Sequence, residues 1–137
     1  MFIIQKIVKE LNLENKIDCD MCCYSLAPKK YIIFEESDIN KANIEYVLKK
    51  VSDNCNNGNF STWKSIIIFG NTTDSFKKKD LLYFDGINTI VVFYLINSLE
   101  NMIYMNDSWI FPLGMNFRTY VRKINKVMTG MEKCQWV

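Results

Sequence analysis

The chain of 137 residues contains no histidine. Histidine is the side chain that most often acts as a general base near neutral pH, and it completes the Ser-His-Asp and Cys-His arrangements of hydrolases. It is also the commonest metal ligand in proteins. The sequence therefore excludes these kinds of site, and any catalysis would depend on carboxylates, lysine, cysteine, tyrosine or an external metal ion.

Glycine, proline and long apolar runs are also scarce. The chain has five Gly and two Pro, so it offers no long flexible linker. Its longest apolar run, residues 89–96, is far below the roughly 20 residues that a membrane span needs. The first residues lack the small-residue cleavage site of a secretory signal. We therefore expect a cytoplasmic protein that does not contact a membrane.

Arginine is almost absent from the basic residues. Of the 17 basic side chains, only Arg118 and Arg122 are Arg. Arginine presents the planar fork that binds phosphate or base edges in bidentate fashion, and lysine does not. The net charge is +2 and the pI is about 8.2, whereas nucleic-acid-binding domains usually have a pI above about 9. Nucleic-acid binding is therefore not the leading prediction.

Apolar and aromatic side chains, by contrast, are plentiful. Hydrophobic residues make up 49% of the chain and aromatic residues 14%, which is more than disordered chains carry. A folded chain of this length buries about two-thirds of the surface that its unfolded form exposes. We predict one domain with its own core over residues 1–137.

Helical and strand-like apolar patterns alternate along the chain. Apolar residues at i, i+3 and i+4 indicate amphipathic helices, whereas short continuous apolar runs indicate strands covered on both faces. The predicted helices cover residues 2–13, 37–54, 72–84 and 111–128, and the predicted strands cover residues 17–25, 29–36, 63–70, 88–97, 101–105 and 108–112. The order αββαβαβββα predicts an α+β fold, in which helices pack on a mixed central sheet of about five or six strands.

Caps and turns mark several of these boundaries. Ser37 or Asp38 is placed to cap the second helix, and Asp74 is one candidate cap of the third. Residues 27–29 form a predicted hairpin turn, and residues 53–61 a predicted surface loop. The connection that contains the third helix is short for a parallel crossover, so the relative direction of the strands on either side stays open.

Five cysteines are present, and Cys19 and Cys22 form a C-x-x-C pair. Strand alternation places Cys19 and Cys23 on one face and Cys22 on the other. A zinc site would need Cys55 and Cys134 as further ligands, but structural zinc sites usually bring two such pairs. A redox pair normally opens a helix. We therefore predict reduced thiols, mostly buried, with no bound metal or cofactor.

A metal-dependent enzyme is a further alternative, with Glu35, Asp74 and Asp85 as its candidate residues. Such a site needs two or more acids that converge on one point. Each of the three has an ordinary structural explanation, because Glu35 marks a strand end, Asp74 is a helix cap and Asp85 opens a turn with Gly86. We therefore assign no catalytic residue.

The last predicted helix has an apolar face and a basic face. Its basic side chains recur at helical spacing on the outer side. Such a face is either merely solvated or complementary to an acidic partner. Two tryptophans lie near this helix in the sequence, and each is either packed in the core or exposed for a partner, since tryptophan is common in cores and enriched in interface hot spots. The residues predicted to contact the partner are Arg118, Arg122, Lys123, Lys126, Trp109 and Trp136.

The sequence thus predicts a small, non-catalytic protein-binding module. Its partner would be another protein with an acidic surface, which it would occlude as an inhibitor or immunity protein of bacterial defence does, or as an accessory subunit. The alternative is nucleic-acid binding by the same helix together with a second basic stretch. The residues of that alternative are Lys77, Lys78, Lys79 and Arg122.

Overall fold

Eight strands form one sheet, with three α-helices on its faces, in the part of the chain that the structure describes. This computed structural model describes residues 2–14, 16–17, 19–56, 60–106, 118–129 and 135–136. The helices are α1 (Phe2–Glu10), α2 (Ile44–Cys55) and α3 (Arg118–Thr129), with one 3-10 helix at Lys78–Leu81. The strands are β1 (Lys16–Ile17), β2 (Cys22–Ala27), β3 (Lys30–Phe34), β4 (Lys64–Asn71), β5 (Leu82–Asp85), β6 (Thr89–Asn97), β7 (Met102–Tyr104) and β8 (Gln135–Trp136).

The sheet is mixed, with a parallel centre and antiparallel flanks. Its order is β1-β2-β3-β4-β6-β7-β8, and β3, β4 and β6 run parallel to one another. Strand β5 pairs antiparallel with the first half of β6, and β7 pairs antiparallel with its last three residues. The predicted α+β class with a mixed central sheet is confirmed. The sheet gains strands over the prediction because β1, β5 and β8 are short and carry weak patterns.

The central strands are buried on both faces. Every residue of β6 is buried, as is every residue of β4 except Asn71. Parallel strands covered by helices on both sides read as continuous apolar runs, which is the pattern that predicted them. Because successive side chains alternate between faces, Ile66 and Ile68 enter one core while Ile67 and Phe69 enter the other.

The two faces of the sheet carry different helices. One core contains buried side chains of α1 and α3, and the other contains those of α2 and the 3-10 helix. The helix residues buried on the first face are Ile7, Val121, Ile124 and Met128, and those on the second are Ile44, Val47, Val51, Cys55 and Leu81. The predicted apolar faces of the first and last helices are thus confirmed where the structure describes them.

Helix α3 is fixed to the sheet and to α1 by polar contacts as well. The Tyr94 hydroxyl donates a hydrogen bond of 2.7 Å to Asn125 Oδ1, which joins the middle of β6 to α3. Lys126 Nζ lies 3.4 Å from Glu10 Oε1 at the end of α1. Tyr94 is fully buried and Asn125 is partly exposed, so the hydroxyl end of this hydrogen bond is shielded from water.

The predicted helix over residues 72–84 is wrong. The segment contains only the 3-10 helix, followed by β5. Its candidate cap is used elsewhere, because the Asp74 carboxylate accepts the backbone N–H of Lys41 at 2.7 Å. The pairing of Leu82–Asp85 with β6 then draws the second half into an extended conformation, so tertiary pairing overrides local preference. The strands on either side, β4 and β6, are parallel.

The predicted cap of α2 is also wrong. The helix begins at Ile44, after Asn43, several residues later than Ser37 or Asp38. Asn43 Oδ1 accepts the backbone N–H of Asn40 at 2.7 Å, and Asn43 Nδ2 donates to the Asp38 carbonyl at 2.8 Å. The stretch predicted to begin the helix is therefore held as a turn by the side-chain amide of Asn43.

The predicted strand over residues 17–25 is divided in two. Strands β1 and β2 pair with each other in antiparallel fashion, with Ile17 opposite Cys23. The bend between them contains Cys19, whose Sγ accepts the backbone N–H of Met21 at 3.4 Å. The hairpin turn predicted at residues 27–29 is confirmed, and Lys29 there has a φ of 66°.

Two other predictions meet the structure only in part. Strand β7 confirms the first half of the predicted last hairpin, and residues 108–112 lie outside the described residues. The surface loop predicted over residues 53–61 begins later than expected, because α2 continues to Cys55, and residues 57–59 are not described.

Candidate functional site

The outer side of α3 is cationic, as predicted. Arg122, Lys123 and Lys126 are exposed, and we call these three residues the α3 basic face. The helix itself contains no acidic residue. The backbone of Arg118 belongs to the first turn of α3, but its side chain lies outside the described part of the structure.

One member of the α3 basic face has an acidic neighbour. Lys126 pairs with Glu10 at 3.4 Å, and its side chain is 77% exposed, so this surface pair contributes little stability. Among the residues that the structure describes, no carboxylate lies within ion-pair distance of Arg122 or Lys123. Most of the positive charge on this face is therefore left to solvent.

The predicted tryptophan anchors fall largely outside the described residues. Trp109 is not described. The backbone of Trp136 forms β8 and pairs in parallel register with Ile103 of β7, while its side chain is not described. Their role in binding stays a prediction.

The second basic stretch is placed away from the α3 basic face. Lys77, Lys78 and Lys79 are exposed, and they lie between Phe76 and Leu81, which are buried in the core beneath α2. Helix α3 packs on the opposite face of the sheet. The structure therefore does not bring these lysines together with Arg122 into one continuous surface.

The three candidate carboxylates are distributed over two ends of the sheet. Glu35 follows β3 and Asp74 follows β4, so both lie at the carboxyl edge of the parallel strands. Asp85 pairs with Thr89 at the opposite end of β6, whereas Asn97, the last residue of that strand, donates to the Asp74 carbonyl at 3.1 Å. Eight steps along β6 at about 3.3 Å each separate these ends by about 26 Å.

Glu35 and Asp74 each have structural partners. Glu35 is buried, with Oε2 3.2 Å from Lys50 Nζ and Oε1 accepting the Ser37 N–H at 3.2 Å. The Asp74 carboxylate accepts the Lys41 N–H. Within the described residues, no group of three or more His, Cys, Asp or Glu side chains is arranged to hold a metal ion.

Amides and hydroxyls form a network at this carboxyl edge that the sequence analysis missed. Asn40 Oδ1 accepts from the Thr72 hydroxyl at 2.8 Å and from the Thr73 N–H at 2.9 Å. The Thr72 hydroxyl in turn accepts the Asp74 N–H at 3.0 Å. These bonds attach the segment after β4 to the segment after β3. The polar side chains there therefore form hydrogen bonds within the fold.

The cysteines divide as predicted between the two faces of the sheet. Cys23 and Cys55, the last residue of α2, are buried in one core, Cys22 packs against the other, and Cys134 lies outside the described residues. Burial, together with the neighbouring Cys55, raises the pKa of the Cys23 thiol far above its ordinary range. Burial and Cys19 raise the pKa of Cys55 from 9.0 to about 12, and Lys64 opposes this shift.

In the native protein at about pH 8, we expect Cys23 and Cys55 to react with iodoacetamide at least about tenfold more slowly than Cys22. The reason is that both thiols are buried and stay protonated. Mass spectrometry of time points would measure each rate, with denatured protein as the control in which the differences vanish. Native Cys55 reacting as fast as Cys22 would contradict the burial.

Because unfolding returns Cys55 to its ordinary pKa, its contribution to stability is present below about pH 9 and is lost as the pH rises toward about 12.

A cavity of about 360 Å³ lies at the other end of the sheet, between α2 and β5. Lys64, the first residue of β4, lines it and is only 3% exposed. Its Nζ donates to the Ser61 carbonyl at 3.2 Å. The sequence does not single out this residue, because a lysine at the start of a strand is normally in solvent.

Exposed apolar side chains occur at the same end of the sheet. Phe84 of β5 lines the cavity and is 61% exposed, and Ile87 in the turn before β6 is 87% exposed. Trp63 immediately precedes Lys64, whose N–H donates to the Asn88 carbonyl in that turn. Trp63 therefore lies near the turn that carries Ile87.

Comparison with protein-family models, with curated proteins and with solved structures finds no match to this chain. Within the residues that the structure describes, no helix combines the length and the apolar character needed to cross a membrane.

Proposed function

We propose that the protein is a non-catalytic protein-binding module that docks on an acidic surface of another protein through the α3 basic face. The observation that carries this proposal is the arrangement of charge on α3. The helix has four basic residues and no acidic one, and its exposed Arg122 and Lys123 have no carboxylate partner among the described residues.

Electrostatic complementarity is the physical basis of the proposed binding. A surface of one sign attracts a surface of the opposite sign, which speeds the encounter and disfavours partners of like charge. Arginine adds bidentate hydrogen bonds to carboxylates, so Arg122 would contribute direction as well as charge. Binding of this kind would cover an acidic functional site, in the manner of an inhibitor or immunity protein.

The placement of the candidate carboxylates supports the hypothesis that the protein is not a carboxylate-dependent enzyme. Two of the three candidates, Glu35 and Asp74, already accept hydrogen bonds within the fold. Asp85 lies at the opposite end of β6, and the two ends of that strand are about 26 Å apart. An enzyme that depended on these acids would need them to converge on one reacting group.

The test is affinity capture from the native host with two matched charge-reversal variants. The α3 variant is Arg122→Glu/Lys123→Glu, and the control is Lys77→Glu/Lys79→Glu, which changes the charge equally on the opposite face. We expect the wild type and the control to retain one stoichiometric protein, and the α3 variant to bind it at least about tenfold more weakly.

Other outcomes of the capture would overturn this function. Absence of a stoichiometric protein, or equal retention by both variants, would contradict docking through α3. Recovery of nucleic acid instead, with binding that both variants weaken and that added salt weakens steeply, would support the nucleic-acid alternative.

A further inference from the structure

A buried lysine with unused hydrogen-bonding capacity, Lys64, lines the cavity between α2 and β5. A lysine Nζ has three donors, and Lys64 gives one of them to the Ser61 carbonyl. No carboxylate among the described residues lies within ion-pair distance of Lys64. Burial of a charge is costly unless it is paired, so the structure keeps an energetically unfavourable group at this position.

Two other titratable groups that line the cavity, Cys55 and Tyr83, do not neutralise this charge. Cys55 lines the same cavity, and burial raises the pKa of its thiol to about 12, so the thiol is uncharged near neutral pH. Burial, followed by the charges of Asp80 and Glu45, also raises the pKa of Tyr83. Both groups therefore stay uncharged near neutral pH.

We propose that this cavity binds a small molecule with an apolar body and a single carboxylate, and that Lys64 Nζ holds the carboxylate. The walls around the buried end include Val51, Ile66 and Val91, which are buried aliphatic side chains. A cavity of about 360 Å³ is at the lower end of the usual range for ligand sites, about 300–1,000 Å³. The ligand is therefore small.

The charges at the cavity set the orientation of the ligand. Glu45, Lys49 and Asp85 line the cavity and are exposed, so they lie toward its mouth, where their net charge of −1 disfavours an anionic group. Lys64 is almost completely buried and attracts the anion inward. The carboxylate consequently lies at the inner end beside Lys64, and the apolar body extends toward β5.

Lys64 also adjoins a second, smaller cavity. That cavity measures about 240 Å³ and shares Cys55, Asn56 and Lys64 with the first. Its other lining residues include Ser61 and Thr62, whose hydroxyls are hydrogen-bond donors. A carboxylate bound at Lys64 therefore has additional donors within the adjoining space.

The test uses octanoate as the probe, titrated against the full chain by calorimetry and by thermal unfolding. Octanol and octylamine serve as uncharged and cationic probes of equal chain length. We expect octanoate to bind at millimolar concentration or below and to raise the melting temperature, and the other two probes to bind at least about tenfold more weakly. Equal binding of octanol and octanoate would overturn the role of the carboxylate.

Variants then locate the site. Lys64→Met keeps the unbranched side chain and removes the charge, so octanoate affinity should fall at least about tenfold, whereas Lys49→Met at the mouth should leave it nearly unchanged. The melting temperature of free Lys64→Met should stay equal or rise, because a buried unpaired charge is removed. Octanoate binding equally to wild type and Lys64→Met, or not at all to wild type, would overturn the proposal.

A second variant keeps the test valid if Lys64→Met fails to fold. Ser52 of α2 lines the cavity and is only partly buried, so Ser52→Phe should narrow the cavity and weaken octanoate binding with Lys64 intact. Unchanged octanoate affinity in Ser52→Phe would contradict binding in this cavity. The α3 variant Arg122→Glu/Lys123→Glu should bind octanoate like the wild type, which separates this site from the proposed docking face.

Discussion

Replacement of Tyr94 by Ala is expected to lower the free energy of unfolding by about 3–5 kcal/mol. Tyr94 is fully buried in the middle of β6, where its ring stacks on Phe69 with centroids 5.3 Å apart. Truncation would leave a cavity between the sheet and α3 and would remove the hydrogen bond to Asn125. Urea denaturation followed by circular dichroism would measure the loss.

Tyr94→Phe is the matched control, because it keeps the ring and removes only the hydroxyl. We expect it to cost about 0.5–1.5 kcal/mol, plus any penalty for the unpaired Asn125 amide. A double-mutant cycle with Asn125→Ala should show that the two losses overlap, since both variants remove the same bond. Tyr94→Phe that is as unstable as Tyr94→Ala would show that the hydrogen bond, and not the packing of the ring, holds α3 on the sheet.

Replacement of Gly70 by Ala is expected to destabilise the protein by about 1–3 kcal/mol, as overpacking of a core does. A Cβ at this position of β4 would lie 2.8 Å from Ile39 Cδ1, which is closer than two carbon atoms can approach. Ile39 is fully buried, so its side chain has little room to move away. The same denaturation experiment measures this effect.

The reason for this loss can be tested by removing the obstructing atom. Ile39→Val deletes Cδ1 and alone should cost about 0.5–1.5 kcal/mol. Combined with Gly70→Ala, it should restore space, so that the double variant is more stable than the sum of the single losses predicts. Strict additivity would mean that the Cβ and the Ile39 side chain do not compete for the same volume.

The sequence predicts the centre of this fold well because burial there is symmetrical. Strands β4 and β6 lie between helices on both faces, so their side chains are apolar without interruption. Helices α1 and α3 pack on the same face of the sheet, each with only one side buried, so their apolar residues recur at helical spacing. In both cases the local pattern is a direct record of the surroundings.

The predictions fail where polar residues serve distant parts of the chain. Asp38 and Asp74 look like helix caps by position, but the Asp74 carboxylate accepts the backbone N–H of Lys41, and the Asp38 backbone carbonyl accepts from Asn43 Nδ2. Asp74 and Lys41 are far apart in the sequence, so no local pattern predicts the contact between them. Strand β5 is hidden for a similar reason, because it is defined by pairing with β6.

Of the two candidate sites, the sequence predicts one and not the other, for the same reason. The exposure of Arg122 and Lys123 follows from their position opposite Val121 and Ile124 on one amphipathic helix, so the sequence predicts it. Lys64 is buried at the start of β4, where it lines a cavity together with residues of α2 and β5 from other parts of the chain. A buried cation of this kind cannot be distinguished in sequence from an ordinary surface lysine.

The measurement that tests the central claim most directly is the dissociation constant of the purified complex between this protein and its captured partner, determined at several salt concentrations. The account predicts an affinity that weakens as salt rises, because screening reduces attraction between exposed charges, and that falls at least about tenfold further in Arg122→Glu/Lys123→Glu. An affinity that is independent of salt and equal in that variant and the wild type would contradict recognition through the α3 basic face.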